Sequence, residues 1–173
     1  MRKVEVVDYN KLWPEEFKKE AESLRTIMES ILMNIHHIGS TSVAGLPAKP
    51  VIDIMPVVKK IEHVDPYNEA MEAIGYEAKG EHGIPSRRFF KKGGDDRTHH
   101  VHVFESGSPD IERHLAFRDY MRSHPEEAEA YGQLKIDLAR KSPTDIQAYM
   151  DGKDSFIKDR ERRALAWYRK QQQ

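Results

Sequence analysis

The sequence predicts an α+β fold, in which a mixed β-sheet with one interposed helix is followed by a group of helices. β-rich runs cluster between residues 35 and 104, whereas proline-led helix starts recur from residue 108 onward. Strictly alternating βα units are missing, which disfavours a doubly wound sheet. A length of 173 residues fits one domain at ~150 residues each. We therefore predict a single domain over residues 1–173, with an α/β core at 1–107 and C-terminal helices at 108–173.

The first predicted element is an amphipathic helix that begins at Trp13-Pro14. A proline followed by acidic residues is typical of the first turn of a helix. Apolar residues then recur at helical spacing as far as Leu32, and Asn34 is the predicted end. The β-rich run 35–38 follows and ends at Gly39.

The later elements are predicted from apolar runs and from turn residues. A buried strand covers 51–58, and its one charged residue is Asp53. The remaining predicted elements are a helix from Asp65-Pro66 to Gly75, a strand at 76–79, a hairpin of 87–92 with 98–104, and helices beginning at Ser108-Pro109, His124-Pro125, Ser142-Pro143 and about Asp154.

Composition excludes several classes of function. The 28 Lys and Arg residues balance 29 Asp and Glu residues, so the chain lacks the basic field of a dedicated nucleic-acid-binding protein. The absence of cysteine excludes disulfides, zinc ribbons and thiol nucleophiles. No run of eighteen apolar residues and no signal-peptide pattern is present, which predicts a cytoplasmic protein with no membrane partner.

A serine-rich turn, Gly39-Ser40-Thr41-Ser42, follows the first predicted strand. Glycine permits close approach of a ligand, and backbone N–H groups with hydroxyls suit a phosphate. Lys49 adds a positive charge nearby in the sequence. The alternative is an ordinary surface turn, because neither established phosphate-binding fingerprint is present.

Asp53 is an acidic residue inside an apolar strand. A buried carboxylate costs several kcal/mol unless it is paired, so Asp53 requires a cation, a metal ion or several hydrogen-bond donors. Contact with a metal or ligand is one interpretation. The other is an ion pair with Arg87, Arg88 or Lys49.

The run His99-His100-Val101-His102 predicts a second source of metal ligands. In a strand, His100 and His102 project to the same side, and two imidazoles so spaced can hold a divalent ion if a third ligand is supplied. Asp53 on a neighbouring strand is the predicted third ligand. The alternative is a hydrogen-bonded pair of surface histidines.

Three further basic residues are candidates for contact with an anionic ligand. Arg87 precedes the hairpin aromatics, and its rigid fork would suit a triphosphate or a carboxylate. Arg118 lies four residues after His114 on one helix face, and Lys153 follows a predicted glycine turn. Each has the alternative of an ordinary solvated charge.

These residues, in this order, resemble the GrpB family, a group of small bacterial proteins that also occurs fused to dephospho-CoA kinase. The resemblance covers nearly the whole chain. It rests on His37-Ile38-Gly39-Ser40-Thr41-Ser42-Val43, Gly45-Leu46, Ala48-Lys49-Pro50, Ile52-Asp53-Ile54, His100-Val101-His102-Val103, His114-Leu115-Ala116-Phe117-Arg118-Asp119-Tyr120, and Lys153 with Phe156-Ile157.

The resemblance implies a nucleotidyltransferase-like fold. Enzymes of that superfamily place a Gly-Ser turn against a nucleotide triphosphate and follow it with a strand whose Asp-x-Asp or Asp-x-Glu pair binds two divalent ions. Gly39-Ser40 and Asp53 match this pattern, but Met55 replaces the second carboxylate and cannot bind Mg²⁺. A site of one aspartate and two histidines favours Mn²⁺ or Zn²⁺ over Mg²⁺.

The sequence and the resemblance together predict a nucleotidyltransferase-like protein that binds a nucleotide or another phosphorylated small molecule with a divalent metal. The reaction expected is nucleotidyl or phosphoryl transfer to a small acceptor. The expected site comprises Asp53 and His102 as catalytic residues, Asp53, His100 and His102 as metal ligands, and Gly39, Ser40, Thr41, Ser42, Lys49, Arg87, Arg118 and Lys153 as phosphate contacts.

Two alternative functions remain open. Met55 favours a non-catalytic ligand-binding module that has kept the pocket and lost the second carboxylate, with a link to coenzyme A metabolism. A metal-dependent hydrolase built on the histidines is the other.

Overall fold

The computed structural model describes residues 3–173, which form five strands and five α-helices joined by turns and two 3₁₀ helices. The elements are α1 Trp13–Met28, β1 Leu32–Ile38, a 3₁₀ helix Ser40–Ser42, β2 Ile52–Val58, a 3₁₀ helix Ile61–Tyr67, α2 Asn68–Ala73, β3 Tyr76–Ala78, β4 Arg87–Lys92, β5 His99–Glu105, α3 Pro109–Ser123, α4 Pro125–Lys141 and α5 Ile146–Gln171.

The five strands form one mixed sheet in the order β1-β2-β5-β4-β3. β2 and β5 run parallel at its centre, and the other neighbouring pairs are antiparallel. The predicted hairpin is confirmed, because β4 pairs with β5 around a turn that contains Gly93 and Gly94. The α+β class is confirmed as well.

The described chain divides into two compact units. The sheet unit comprises Leu12–Ile38 and Val51–Ile111. In it, α1 packs against β1 and β2 and buries Leu24 and Met28 completely. The inward residues of the central strands, such as Ile54 and Val101, are also fully buried. This sheet fixes the positions of the candidate metal ligands described below.

The helical unit comprises the residues up to Lys11, Gly39–Pro50 and Glu112–Gln173. One of its apolar clusters joins Val43 and Leu46 to Met121 and Tyr131. A second cluster contains Ala116, Tyr120 and Ala164. The serine-rich turn therefore belongs to the helical unit. No helix of residues 3–173 is both long enough and apolar enough to cross a membrane.

Predicted helix boundaries were wrong in three places. The helix predicted from Asp65-Pro66 begins as α2 at Asn68, and Pro66 lies in the preceding 3₁₀ helix. α1 ends at Met28, and the chain is already in β1 at Leu32, so Leu32 belongs to the strand and not to the helix. The two predicted helices from Ser142-Pro143 and Asp154 are one helix, α5, which begins after Asp145. The Asp145 carboxylate caps it by accepting a hydrogen bond from the backbone N–H of Ala148.

Gly152, where a turn was predicted, lies inside α5. This glycine allows α5 to approach α4 closely. A Cβ atom at Gly152 would lie 2.5 Å from Cδ2 of Leu138 on α4. Glycine at this position therefore provides space and not a change of chain direction.

Candidate functional site

The central strands bring three predicted metal ligands together on one face of the sheet. Asp53 on β2 is in register with His100 on the parallel strand β5. Because side chains alternate along a strand, His102 lies on the same face as His100, while Val101 and Val103 point to the opposite face and are fully buried.

Asp53, His100 and His102 each offer a ligand atom, and these atoms lie within 4.8 Å of one another. Nε2 of His102 is 3.0 Å from Oδ1 of Asp53, and Nδ1 of His100 is 3.6 Å from the same oxygen. The Asp53 side chain is 28% exposed, so a ligand can reach the group. The predicted convergence of these three side chains is therefore observed.

The two histidines also control the charge of Asp53. Burial by itself raises the pKa of the Asp53 carboxyl, but the close approach of the His100 and His102 ring nitrogens lowers it and outweighs this effect. The pKa of Asp53 is held well below its ordinary range, so the group is a carboxylate at neutral pH.

Arg87 completes the polar group on this face. Its side chain is buried, and its guanidinium lies over the Phe89 ring at 4.8 Å. Nη1 is 3.3 Å from Nδ1 of His102, while Nε donates to the carbonyl of Glu81 and Nη2 to the carbonyl of His82. Phe89 in turn contacts the rings of both histidines. This geometry places Arg87 beside His102, and its phosphate contact stays a prediction.

The donor set is suited to a borderline or transition metal ion. One carboxylate and imidazole nitrogen are ordinary ligands of Zn²⁺ and Mn²⁺, and zinc bonds of about 2 Å require donor atoms about 3–4 Å apart. Nε2 of His100 is buried and has no hydrogen-bond partner among residues 3–173. The nitrogen of His100 that faces Asp53 is Nδ1, at 3.6 Å from Oδ1.

Met55 stands where the sequence resemblance implies a second carboxylate, and it is fully buried. A thioether in the core supplies no hard oxygen ligand. A carboxylate pair of the two-metal kind is therefore absent from this strand.

The serine-rich turn in the helical unit is tightly bonded to itself. Gly39 has a φ of 74°, which favours glycine. The hydroxyl and the backbone N–H of Ser42 both donate to the carbonyl of Gly39. Arg122 donates from Nε and Nη2 to the carbonyl of Ser42, which holds the turn against α3. Thr41 and Ser42 are buried, and Ser40 is the partly exposed hydroxyl residue of the turn.

Two predicted phosphate-binding lysines converge within the helical unit. Nζ of Lys49 lies 5.2 Å from the centre of the Tyr149 ring, and Nζ of Lys153 lies 4.8 Å from it. Arg118, also predicted, is mostly buried, and its Nε donates to Asp119. Tyr149 is itself completely buried, and its hydroxyl has no hydrogen-bond partner among the described residues.

The sequence interpretation missed several residues of these groups. Phe89, Arg122 and Tyr149 were not predicted as site residues. Arg88 forms an ion pair with Asp65 at 2.7 Å and not with Asp53. Alternation along the hairpin could have placed Arg87 and Phe89 on the face of the histidines. No sequence signal could have connected Arg122 with a carbonyl 80 residues away.

Comparison with known proteins identifies the family. The profile described as GrpB protein matches residues 3–163. The chain belongs to the GrpB family. A crystal structure of the conserved protein GrpB from Enterococcus faecalis is 45% identical and superposes with a TM-score of 0.92, covering 95% of this chain and 99% of that one.

Two curated proteins are similar over most of this chain but are longer. The UPF0157 protein YqkA of Bacillus subtilis is 50% identical over 166 residues, which are 96% of this chain and 48% of that protein. A dephospho-CoA kinase of Mycobacterium tuberculosis is 26% identical over 180 residues, covering 90% of this chain and 44% of the kinase. The GrpB chain thus spans about half the length of each.

The fold also resembles that of a nucleotidyltransferase. A structure of Cid1 in complex with the UTP analog UMPNPP has a TM-score of 0.53 and 15% identity, covering 78% of this chain and 43% of that one. This similarity supports a nucleotidyltransferase-like fold for the GrpB chain, as the sequence resemblance implied.

Proposed function

We propose that this GrpB protein binds a nucleotide or another phosphorylated small molecule together with a divalent metal ion, and that it transfers a nucleotidyl or phosphoryl group to a small acceptor. The observation that carries the proposal is the convergence of Asp53, His100 and His102 on one face of a nucleotidyltransferase-like sheet. Asp53 with one or both imidazoles would hold the ion.

A metal ion held there would neutralise phosphate charge, which is the largest requirement of phosphoryl and nucleotidyl chemistry. In nucleotidyl transfer, an acceptor oxygen forms a bond to the α-phosphorus. The bond from that phosphorus to the bridging oxygen breaks, and pyrophosphate leaves with its electron pair. The acceptor proton passes to a base. The contribution of this chain is to keep Asp53 charged and oriented through its histidine neighbours.

The two lysines beside Tyr149 are the second observation that supports a phosphorylated ligand. Lys49 comes from the segment after the serine-rich turn and Lys153 from α5, and both approach one aromatic ring. Two ammonium groups from separate elements favour a ligand with more than one negative charge, such as a polyphosphate. The predicted phosphate contacts of Gly39, Ser40, Thr41, Ser42 and Arg118 belong to this part of the proposal.

Metal binding is tested by calorimetry with Mn²⁺, Zn²⁺ and Mg²⁺. The wild type is expected to bind Mn²⁺ or Zn²⁺ more tightly than Mg²⁺, and Asp53→Asn is expected to abolish the heat of binding. Asp137→Asn, at an exposed residue of α4, is the matched control because it makes the same chemical change in the helical unit. Equal binding by wild type and Asp53→Asn would refute the proposed site.

A non-catalytic ligand-binding module is the second candidate, and a specific observation favours it. The buried Met55 leaves a single carboxylate on β2, and two-metal catalysis needs more negative ligands than one. The similarity of this chain to part of a dephospho-CoA kinase supports a ligand related to coenzyme A for such a module.

Incubation with labelled ATP and Mn²⁺ separates the candidate functions. Release of pyrophosphate, or of ADP, that requires both Asp53 and a small acceptor supports the transferase. Phosphate-ester cleavage without any acceptor indicates a hydrolase. Saturable binding of ATP or coenzyme A without turnover indicates the binding module.

A further inference from the structure

The two histidines beside Asp53 differ in how fully their ring nitrogens are used within the protein. Both nitrogens of His102 face a polar partner: Nδ1 faces Nη1 of Arg87 at 3.3 Å, and Nε2 faces Oδ1 of Asp53 at 3.0 Å. The nearest approach of His100 to Asp53 is 3.6 Å, longer than an ordinary hydrogen bond, and its buried Nε2 has no partner among the described residues.

The chemistry of arginine fixes the direction of the hydrogen bonds at His102. A guanidinium carries only donors, so Nδ1 of His102 must accept from Arg87. A histidine whose Nδ1 accepts carries its proton on Nε2, and that N–H points at the Asp53 carboxylate, which accepts it. Arg87, His102 and Asp53 therefore form a chain of hydrogen bonds with one polarity.

Arg87 is held too firmly to reverse this arrangement. It is 6% exposed, and its other two nitrogens donate to the carbonyls of Glu81 and His82 in the β3–β4 connection. If His102 used the Nε2 lone pair for a metal ion, its proton would move to Nδ1. Two donors would then face each other beside a buried positive charge, which is unfavourable.

We propose that Arg87 fixes His102 as the Nε2–H form, so that His102 is a positioning residue that orients Asp53 and His100 is the imidazole that binds the metal ion. This assignment rests on the proposed function, because it distributes roles within the proposed metal site. It narrows the protein ligands on this face to Asp53 and His100.

The ring proton of His102 is measured directly in the metal-free wild type by long-range ¹H–¹⁵N NMR correlation, with His102→Gln used to assign the signals. At neutral pH, Nε2 is expected to be protonated and Nδ1 unprotonated. A proton on Nδ1 overturns the assignment. Arg87→Met is expected to give a mixture of the Nδ1–H and Nε2–H forms of His102. An unchanged His102 spectrum in that variant would show that Arg87 does not fix the ring proton.

Zinc calorimetry separates a ligand from a positioning residue. Glutamine at position 102 keeps an N–H donor near the Nε2 position, so His102→Gln is expected to bind Zn²⁺ within about threefold of the wild type, whereas His102→Ala loses about 10- to 100-fold. His100→Gln is expected to lose at least as much as His102→Ala, because an amide is a poor zinc ligand. Equal losses in His100→Gln and His102→Gln would overturn the proposal.

The two measurements fail independently. Absence of both Zn²⁺ and Mn²⁺ binding in the wild type would refute the proposed metal function and the ligand role of His100. The NMR measurement needs no metal, so it decides the Arg87–His102 assignment whatever the calorimetry shows. If Arg87→Met does not fold, the His102 spectrum of the wild type and the zinc affinities of His102→Gln and His102→Ala decide the proposal.

Discussion

Asp53 makes its shorter contact with His102 and not with His100, although His100 is its register partner across the parallel strands. Both imidazoles approach the same carboxylate oxygen, Oδ1. The second imidazole reaches Oδ1 from two residues further along β5, where the diagonal neighbour on the same face is within reach of a long side chain. Both imidazoles therefore contact the same oxygen of Asp53, and the Asp53 side chain remains partly exposed.

The buried Glu20 carboxylate is expected to make stability depend on pH. Glu20 on α1 accepts hydrogen bonds from the Tyr76 hydroxyl at 2.7 Å and from Lys92 at 2.9 Å. Burial alone would raise the pKa of Glu20, but these donors lower it below its ordinary value of 4.5. A lowered folded-state pKa gives stability that is present above the unfolded pKa and is lost as pH falls through the folded pKa.

Glu20→Gln is therefore expected to reduce the free energy of unfolding at pH 7 by about 1–3 kcal/mol, because hydrogen bonds to a charged group are lost. The difference from wild type should shrink below about pH 4. Urea unfolding measured from pH 7 to pH 3 checks both expectations. Glu22→Gln, at an exposed position of the same helix, is the control and should change little. A constant difference across this pH range would contradict the expected ionisation.

Gly152→Ala is expected to destabilise the helical unit although alanine is the better helix former. Helix propensity alone would make the change favourable by about 0.5–1 kcal/mol. The new Cβ would lie 2.5 Å from Cδ2 of Leu138, and such overpacking costs about 1–3 kcal/mol. Thermal unfolding should show a lower midpoint for Gly152→Ala, and in a Leu138→Ala background the same substitution should lower the midpoint less. A raised midpoint would mean that α4 and α5 are packed less closely at this point.

The elements that sequence reasoning predicted well depend on local signals. Pro14 marks the start of α1, and the two glycines between β4 and β5 mark the hairpin turn. The metal candidates were also predictable, because a charged residue in an apolar strand and a His-x-His alternation each constrain one face of the sheet.

The remaining features depend on tertiary contacts. The helical pattern of α1 continues past Met28 in the sequence, but pairing with β2 takes Leu32 into the sheet. In the sequence, Glu20 looks like a surface glutamate of an amphipathic helix. Its burial depends on contacts with Tyr76 and Lys92, which are 56 and 72 residues away along the chain. The continuity of α5 likewise depends on Leu138 occupying the space left by Gly152.

The lysines at Tyr149 are expected to contribute to binding of a polyphosphate. Loss of one charge-assisted hydrogen bond costs about 1.5–3 kcal/mol, which is about 10-fold or more in affinity for each lysine. Lys49→Met with Lys153→Met should therefore weaken ATP binding, measured by calorimetry, by about 100-fold. Lys158→Met with Lys170→Met removes the same charge from exposed positions of α5 and is the control. Equal losses in both double variants would show that only net charge matters.

Tyr149→Phe is expected to stabilise the protein. The Tyr149 hydroxyl is buried without a hydrogen-bond partner among the described residues, and burial raises the pKa of Tyr149 to about 12. A buried hydroxyl left unpaired costs about 1–3 kcal/mol, so phenylalanine should raise the free energy of unfolding by about 1 kcal/mol while keeping the ring beneath Lys49 and Lys153.

Chemical denaturation of the ligand-free protein measures this change, and Tyr76→Phe supplies the contrast. The Tyr76 hydroxyl donates to Glu20, so its removal should lower the free energy of unfolding by about 1–3 kcal/mol. Opposite signs for the same chemical change would show that hydrogen-bond pairing, and not the burial of a hydroxyl as such, decides the outcome. Destabilisation by Tyr149→Phe as large as that by Tyr76→Phe would mean that the Tyr149 hydroxyl has a partner in solution.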